Sequence, residues 1–86
     1  MELVFTEESK KDLKSMPKEL QPVFIKHLEK IGGNPPKKHM KYVLPYHVEK
    51  FTRQARIIYS IDHQKLFIIR CFAKHKDYEK WYESFK

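Results

Sequence analysis

His47, Glu49, Arg56 and His75 are residue types that move protons and hold phosphate. Lys50, Arg53, Lys74 and Lys76 lie close to them in the chain. This set suits the cleavage of RNA. A base takes the 2′-hydroxyl proton so that this oxygen can attack the adjacent phosphate. Cations stabilise the charge that develops on the phosphate oxygens, and an acid protonates the leaving 5′-oxygen. His and Glu can exchange protons, Arg grips phosphate with two donors, and Tyr stacks on a base. The chemistry requires no metal or other cofactor. The same residues also admit plain roles: a surface ion pair between Arg56 and Glu49, exposed histidines at strand ends, and Tyr78 and Trp81 packing a helix. Metal binding is poorly supported, because the 5 His and the single Cys71 show no paired-ligand spacing. A phosphate-cradling loop is also missing, since Gly32–Gly33 sits at a predicted helix end.

The elements that must position these residues follow from periodicity. Residues 2–6, ELVFT, have strand propensity. Glu7–Ser15 reads as a polar helix, with Thr6 as its N-cap and Glu7 and Glu8 in the first turn, where the helix dipole favours acids. Leu20, Phe24, Leu28 and Ile31 recur at helical spacing, with Pro22 tolerated in the first turn and Gly32–Gly33 at the end. The period then changes to two. His39–Leu44, His47–Thr52, Ala55–Ile61 and Leu66–Ala73 are strand candidates, the first limited by Pro45 to an edge or a bend. Asp62–Lys65 forms the turn of an antiparallel hairpin. In HKDYEKWYESFK, the residues Tyr78, Trp81, Tyr82 and Phe85 share a helical face. The expected order is β-α-α-β-β-β-α: an α+β fold in which a helical hairpin covers one face of a twisted antiparallel sheet and a short C-terminal helix follows.

Alternation sorts the strand side chains. Pairing Ile61 with Leu66 predicts that Arg56, Ile58 and Ser60 share a face with Phe67, Ile69, Cys71 and Ala73, and with His75 if the strand runs on. Pairing Phe51 with Arg56 adds His47, Glu49 and Phe51 to that face. Ile57, Tyr59, Ile61, Leu66, Ile68 and Phe72 collect on the opposite face as the core under the helices. Arg70 falls on the core side, and so is expected at a margin or paired with an acid. A slip of one residue inverts these assignments.

The 86 residues allow one domain. Residues 1–30 carry six lysines and six acidic residues, while residues 31–86 hold twelve of the 18 Lys+Arg and five of the 11 Asp+Glu, so the whole +7 lies there. Such asymmetry points to a surface that meets a polyanion, whether nucleic acid or an acidic protein. One cysteine permits no internal disulfide, and no signal-peptide pattern or membrane-length apolar run is present. The expectation is a cytoplasmic protein.

ARIIYSID followed by LFIIRCFAKHKDYEKWY resembles the RelE/ParE superfamily of toxins from type II toxin–antitoxin systems. The shared pattern is Arg, two aliphatics and Tyr on one strand, then an apolar strand ending in His-x-x-Tyr. The opening VFTEESKKDLKSMPKELQPVFIKHLEKI resembles that family's first strand and helical hairpin. The resemblance implies a single toxin domain over residues 1–86, held inactive by an antitoxin. It also implies an mRNA endoribonuclease that acts on the ribosome by metal-independent 2′-hydroxyl attack. Arg56 would then stabilise the phosphate, His75 serve as acid or base, Tyr78 stack on or orient a nucleotide, and Glu49 be a possible base. Lys50, Arg53, Lys74, Lys76 and His47 would contact RNA. The superfamily also contains gyrase poisons, so a non-catalytic toxin or antitoxin-binding homologue, or a small RNA-binding domain, are the alternative expectations.

Overall fold

Thr6 ends the first strand and starts the first helix. Its Oγ1 accepts from the Ser9 N–H at 3.1 Å, the expected N-cap bond, and the Ser9 hydroxyl donates back to the Thr6 carbonyl at 2.9 Å. In the computed structural model, which describes residues 1–33 and 46–85, the order is β1 (Glu2–Phe5), α1 (Glu7–Ser15), α2 (Gln21–Gly33), β2 (His47–Lys50), β3 (Arg56–Asp62), β4 (Lys65–Phe72) and α3 (His75–Glu83). This is the expected β-α-α-β-β-β-α arrangement. The strand candidate His39–Leu44 lies outside the described residues.

The four strands form one sheet in the order β1-β4-β3-β2. The β2-β3-β4 portion is antiparallel as expected, whereas β1 runs parallel to β4, with Leu3 beside Leu66 and Phe5 beside Ile68. The sheet is therefore mixed. No tight turn joins β1 to β4, so nothing forces that pair to be antiparallel.

One face carries the main core. Phe24, Leu28 and Ile31 of α2, with Met16 after α1, pack on Ile57, Tyr59, Leu66, Ile68 and Cys71. Burying each large side chain stabilises the fold by about 1.5–3 kcal/mol. Gly32 lets α2 approach β1 closely: a Cβ there would stand 3.1 Å from Leu3 Cδ2. The other face is covered by a second, smaller cluster. Ile58 and Phe72 are fully or nearly buried beneath Tyr46, Val48, Ile69, Tyr78, Trp81 and Tyr82. Trp81 packs on Phe72 and Tyr46, at centroid distances of 5.8 and 6.0 Å, as its plain reading predicts.

Two irregularities of register correct the expected faces. The β3–β4 pairing runs as anticipated from Ile61–Leu66 to Tyr59–Ile68 and then shifts. Ile69 is the extra residue of a β-bulge, so Ile58 faces Arg70, Ile57 faces Cys71 and Arg56 faces Phe72. Cys71 and Ala73 consequently turn to the main core, while Arg70 and Phe72 turn to the α3 side. The Thr6 hydroxyl sits at the bulge, 2.9 Å from the Ile68 carbonyl oxygen and 3.0 Å from that of Ile69. The strand also ends at Phe72, and His75 opens α3 rather than prolonging β4.

In the β2–β3 hairpin, Lys50, not Phe51, stands opposite Arg56. This one-residue slip carries His47, Glu49 and Phe51 to the face under α1 and α2. The physical reason is Phe51: its ring meets Phe24 edge-on at 4.9 Å and stacks on His27 at 4.3 Å, an apolar environment that the expected register would have denied it.

The β3–β4 turn is a two-residue one in which His63 and Gln64 have φ of 49° and 65°. Both are left-handed positions of the kind a type I′ hairpin requires, and neither is glycine. Replacing Gln64 by Gly is expected to raise unfolding stability by about 1 kcal/mol through relief of left-handed strain. Urea denaturation measures it, and an unchanged midpoint would show that the turn stores no such strain.

Candidate active site on the α3 face

Arg56 begins β3 on the face covered by α3. Its Nη1 donates to the carbonyl oxygens of Ala55 (3.0 Å), Arg53 (3.2 Å) and Thr52 (3.4 Å), and only 8 % of the residue is exposed. The loop that supplies these carbonyls is itself braced, because Thr52 Oγ1 accepts from the N–H groups of Gln54 (3.2 Å) and Ala55 (2.8 Å). A guanidinium has five N–H donors, so anchoring Nη1 orients the charge without exhausting it. Its Cζ lies 5.8 Å from the Tyr78 ring centroid, within cation–π range.

Tyr78 and His75 come from α3. Their rings lie 5.8 Å apart, and Tyr78 also stacks with Tyr82 at 5.9 Å. Burial raises the Tyr78 phenol above its ordinary pKa, with Tyr82 adding to the rise and Arg56 opposing it. His75 Nδ1 meets Glu79 Oε1 at 3.1 Å, one helical turn on, a contact that does not involve Nε2. Arg56 and the start of α3 lie together at the open end of the β3–β4 hairpin, where Arg56 stands opposite Phe72, so residues about 20 positions apart in the chain are gathered at one place.

The remaining expected site residues divide. Lys50 is exposed and stands directly opposite Arg56 in the ladder, on the same face. Arg53, Lys74 and Lys76 are exposed in the loop before β3 and at the start of α3. Lys74 and Lys80 also line a cleft of about 640 Å³ between the end of α1, β4 and α3, together with Arg70 and Trp81. Glu49 and His47 lie elsewhere. Both face the main core side of β2, where Glu49 Oε2 is 3.9 Å from His27 Nε2 and the His47 ring stacks on Tyr59 at 5.2 Å. The anticipated Arg56–Glu49 pair is therefore absent from the described arrangement, since the two side chains leave the sheet on opposite sides. Burial pushes His27 below its ordinary pKa, and burial with the nearby Glu49 charge pushes Tyr59 up to about 12.

Arg70 does take an acid, as expected. Its Nε and Nη2 grip Asp12 in a fork at 2.7 and 3.0 Å, and this hydrogen bond, followed by the attraction of the two charges, raises the arginine pKa. Two participants escaped the sequence reading. Glu79 had a signal, the i,i+4 spacing from His75 on a predicted helix. Gln54 had none: its Oε1 accepts from the His75 backbone N–H at 3.1 Å, across 21 residues.

No helix among the described residues is long and apolar enough to cross a membrane. Neither family models nor curated proteins match the sequence. Solved structures do. The isolated E. coli RelE toxin superposes with a TM-score of 0.71 at 15% identity, over 99% of this chain and 98% of that one. The RelB–RelE antitoxin–toxin complex from Methanococcus jannaschii gives 0.67 at 17% identity, over 91% and 96%. The YoeB–YefM complex from Staphylococcus aureus gives 0.65 at 18% identity, over 84% and 94%. At such identities the likeness speaks for architecture. With its helical hairpin on one face of a four-stranded sheet and α3 on the other, the chain has the same fold as these RelE and YoeB structures.

Proposed function

We propose that the protein is the toxin of a type II toxin–antitoxin system and an endoribonuclease that cuts mRNA on the ribosome. The observation that carries this reading is the convergence of Arg56, His75 and Tyr78 on the α3 face, flanked by Lys50, Arg53, Lys74 and Lys76. The RelE-like fold supports it. So does the placement of the whole +7 in residues 31–86.

In this mechanism the 2′-oxygen forms a bond to the adjacent phosphorus and the bond from phosphorus to the 5′-oxygen breaks. The products are a 2′,3′-cyclic phosphate and a 5′-hydroxyl. Arg56 holds the phosphate oxygens as their charge grows. His75, its Nδ1 engaged by Glu79, exchanges a proton through Nε2 with either the 2′- or the 5′-oxygen, and solvent water exchanges the proton at the other. Tyr78 offers a ring for a base, and the surrounding lysines draw the backbone of mRNA and rRNA. Glu49 has no part in the step, because it lies on the other side of the sheet. The partner that silences the toxin is a cognate antitoxin. Complexes of toxins and antitoxins are among the similar solved structures.

The test is purified protein added to translating ribosomes, with mRNA ends mapped. Cleavage in the decoding site is expected, and His75→Ala is expected to slow it about 100-fold, the usual scale for a lost acid or base. The same substitution should relieve growth arrest. Intact mRNA with inhibited DNA supercoiling would identify a gyrase poison instead. Salt-sensitive RNA binding without cleavage would identify a binding domain.

A further inference from the structure

Lys74 occupies the N-cap position of α3 and makes no side-chain cap bond. The His75 N–H, one of the donors that a helix start leaves unsatisfied, goes instead to Gln54 Oε1 at 3.1 Å. Gln54 belongs to the same loop whose carbonyls anchor Arg56, and its own N–H is tied to Thr52 Oγ1 at 3.2 Å. None of the α3 residues is fully buried, so half-buried aromatic contacts and this polar link at its first residue help to hold the helix in place. A shift of α3 would carry His75 and Tyr78 away from Arg56 together.

We infer that Gln54 is a positioning residue: it clamps the first residue of α3 to the Arg56 loop and thereby fixes the distance between the phosphate-binding guanidinium and the His75 imidazole. The side chain acts through His75 and needs no contact with substrate. Its catalytic consequence rests on the endoribonuclease reading above, whereas the clamp itself does not.

Two substitutions separate these levels. Gln54→Met keeps length and shape and removes the acceptor. Gln54→Glu keeps an acceptor of the same length and places a negative charge at a helix start, where it is favourable. Gln54 is exposed, so both variants are expected to fold. Amide hydrogen exchange at His75, followed by NMR on the free protein, is expected to accelerate about five- to tenfold in Q54M and to stay at the parental rate in Q54E. In ribosome-dependent cleavage, Q54M is expected to lower kcat by about tenfold with KM nearly unchanged. Q54E is expected to keep kcat and raise KM, because its charge repels the phosphate backbone. Unchanged exchange in Q54M overturns the clamp whatever the activity. Faster exchange with an unchanged kcat overturns the positioning role. If the parent protein cuts no mRNA, the endoribonuclease reading fails and the kinetic role with it, while the exchange rates still decide whether the clamp exists.

Discussion

Arg56→Ala is expected to lower mRNA cleavage by about 100- to 1,000-fold, the range for removing a donor that meets charge developing in the transition state. The same substitution is expected to cost roughly 1–3 kcal/mol of stability, since three carbonyl oxygens lose their donor in a nearly buried setting. The loss of contact with Tyr78 adds to this. A domain with typical stability of about 5–15 kcal/mol survives such a loss, so the variant remains folded and the two effects can be measured apart. Arg56→Lys sharpens the distinction. It keeps the charge but replaces a planar fork by a single ammonium, which cannot both meet the loop carbonyls and grip phosphate in two places. Its cleavage rate should fall between parent and alanine variant. Arg56→Ala protein that is folded and still cuts at the parental rate would exclude this arginine from the chemistry.

Asp12→Ala is expected to carry the larger cost in stability, about 2–4 kcal/mol in urea denaturation, on the scale of breaking a partly buried ion pair by removing one member. The carboxylate has three donors. It receives the Arg70 fork at 2.7 and 3.0 Å, and Oδ2 also accepts the Cys71 backbone N–H at 3.0 Å. The two side chains are 15% and 28% exposed, which places the estimate below that for a fully buried pair. The N–H matters because β1 pairs with β4 only as far as Ile68, so the outer edge of β4 beyond the bulge depends on α1 for a partner. Asp12→Asn, which can still accept from Cys71, should lose roughly half as much. Arg70→Ala should also cost less than Asp12→Ala, because Asp12 retains the Cys71 bond. Equal losses for both would show that the edge amide contributes nothing.

How much of this was legible beforehand depended on the range of the interaction. The Thr6 cap, the apolar stripe of α2 and the Asp62–Lys65 turn involve residues a few positions apart, and each formed where expected. The pairing of His75 with Glu79 was available on the same ground. Arg70 was legible only as a residue in need of an acid; that the acid is Asp12, 58 positions away, is a matter of how α1 lies along β4. Gln54 was missed, and Glu49 was placed on the wrong face, for the same kind of reason. Nothing in TRQA marks Gln54 as a cap for a distant helix, and nothing local shows that burial of Phe51 pulls β2 by one residue.

The sequence by itself determined the order of elements, the helix that bears His75 and Tyr78, the strand that bears Arg56, and the confinement of the net charge to residues 31–86. The tertiary structure decided which side of the sheet each strand residue occupies. Strand side chains alternate with a period of two, so the inserted residue at Ile69 reverses the faces of the β4 residues after it, and the one-residue slip of β2 reverses the faces of that whole strand. That reversal moved Glu49 to the core side and left Arg56 on the α3 face, where it meets Tyr78, the neighbour of His75.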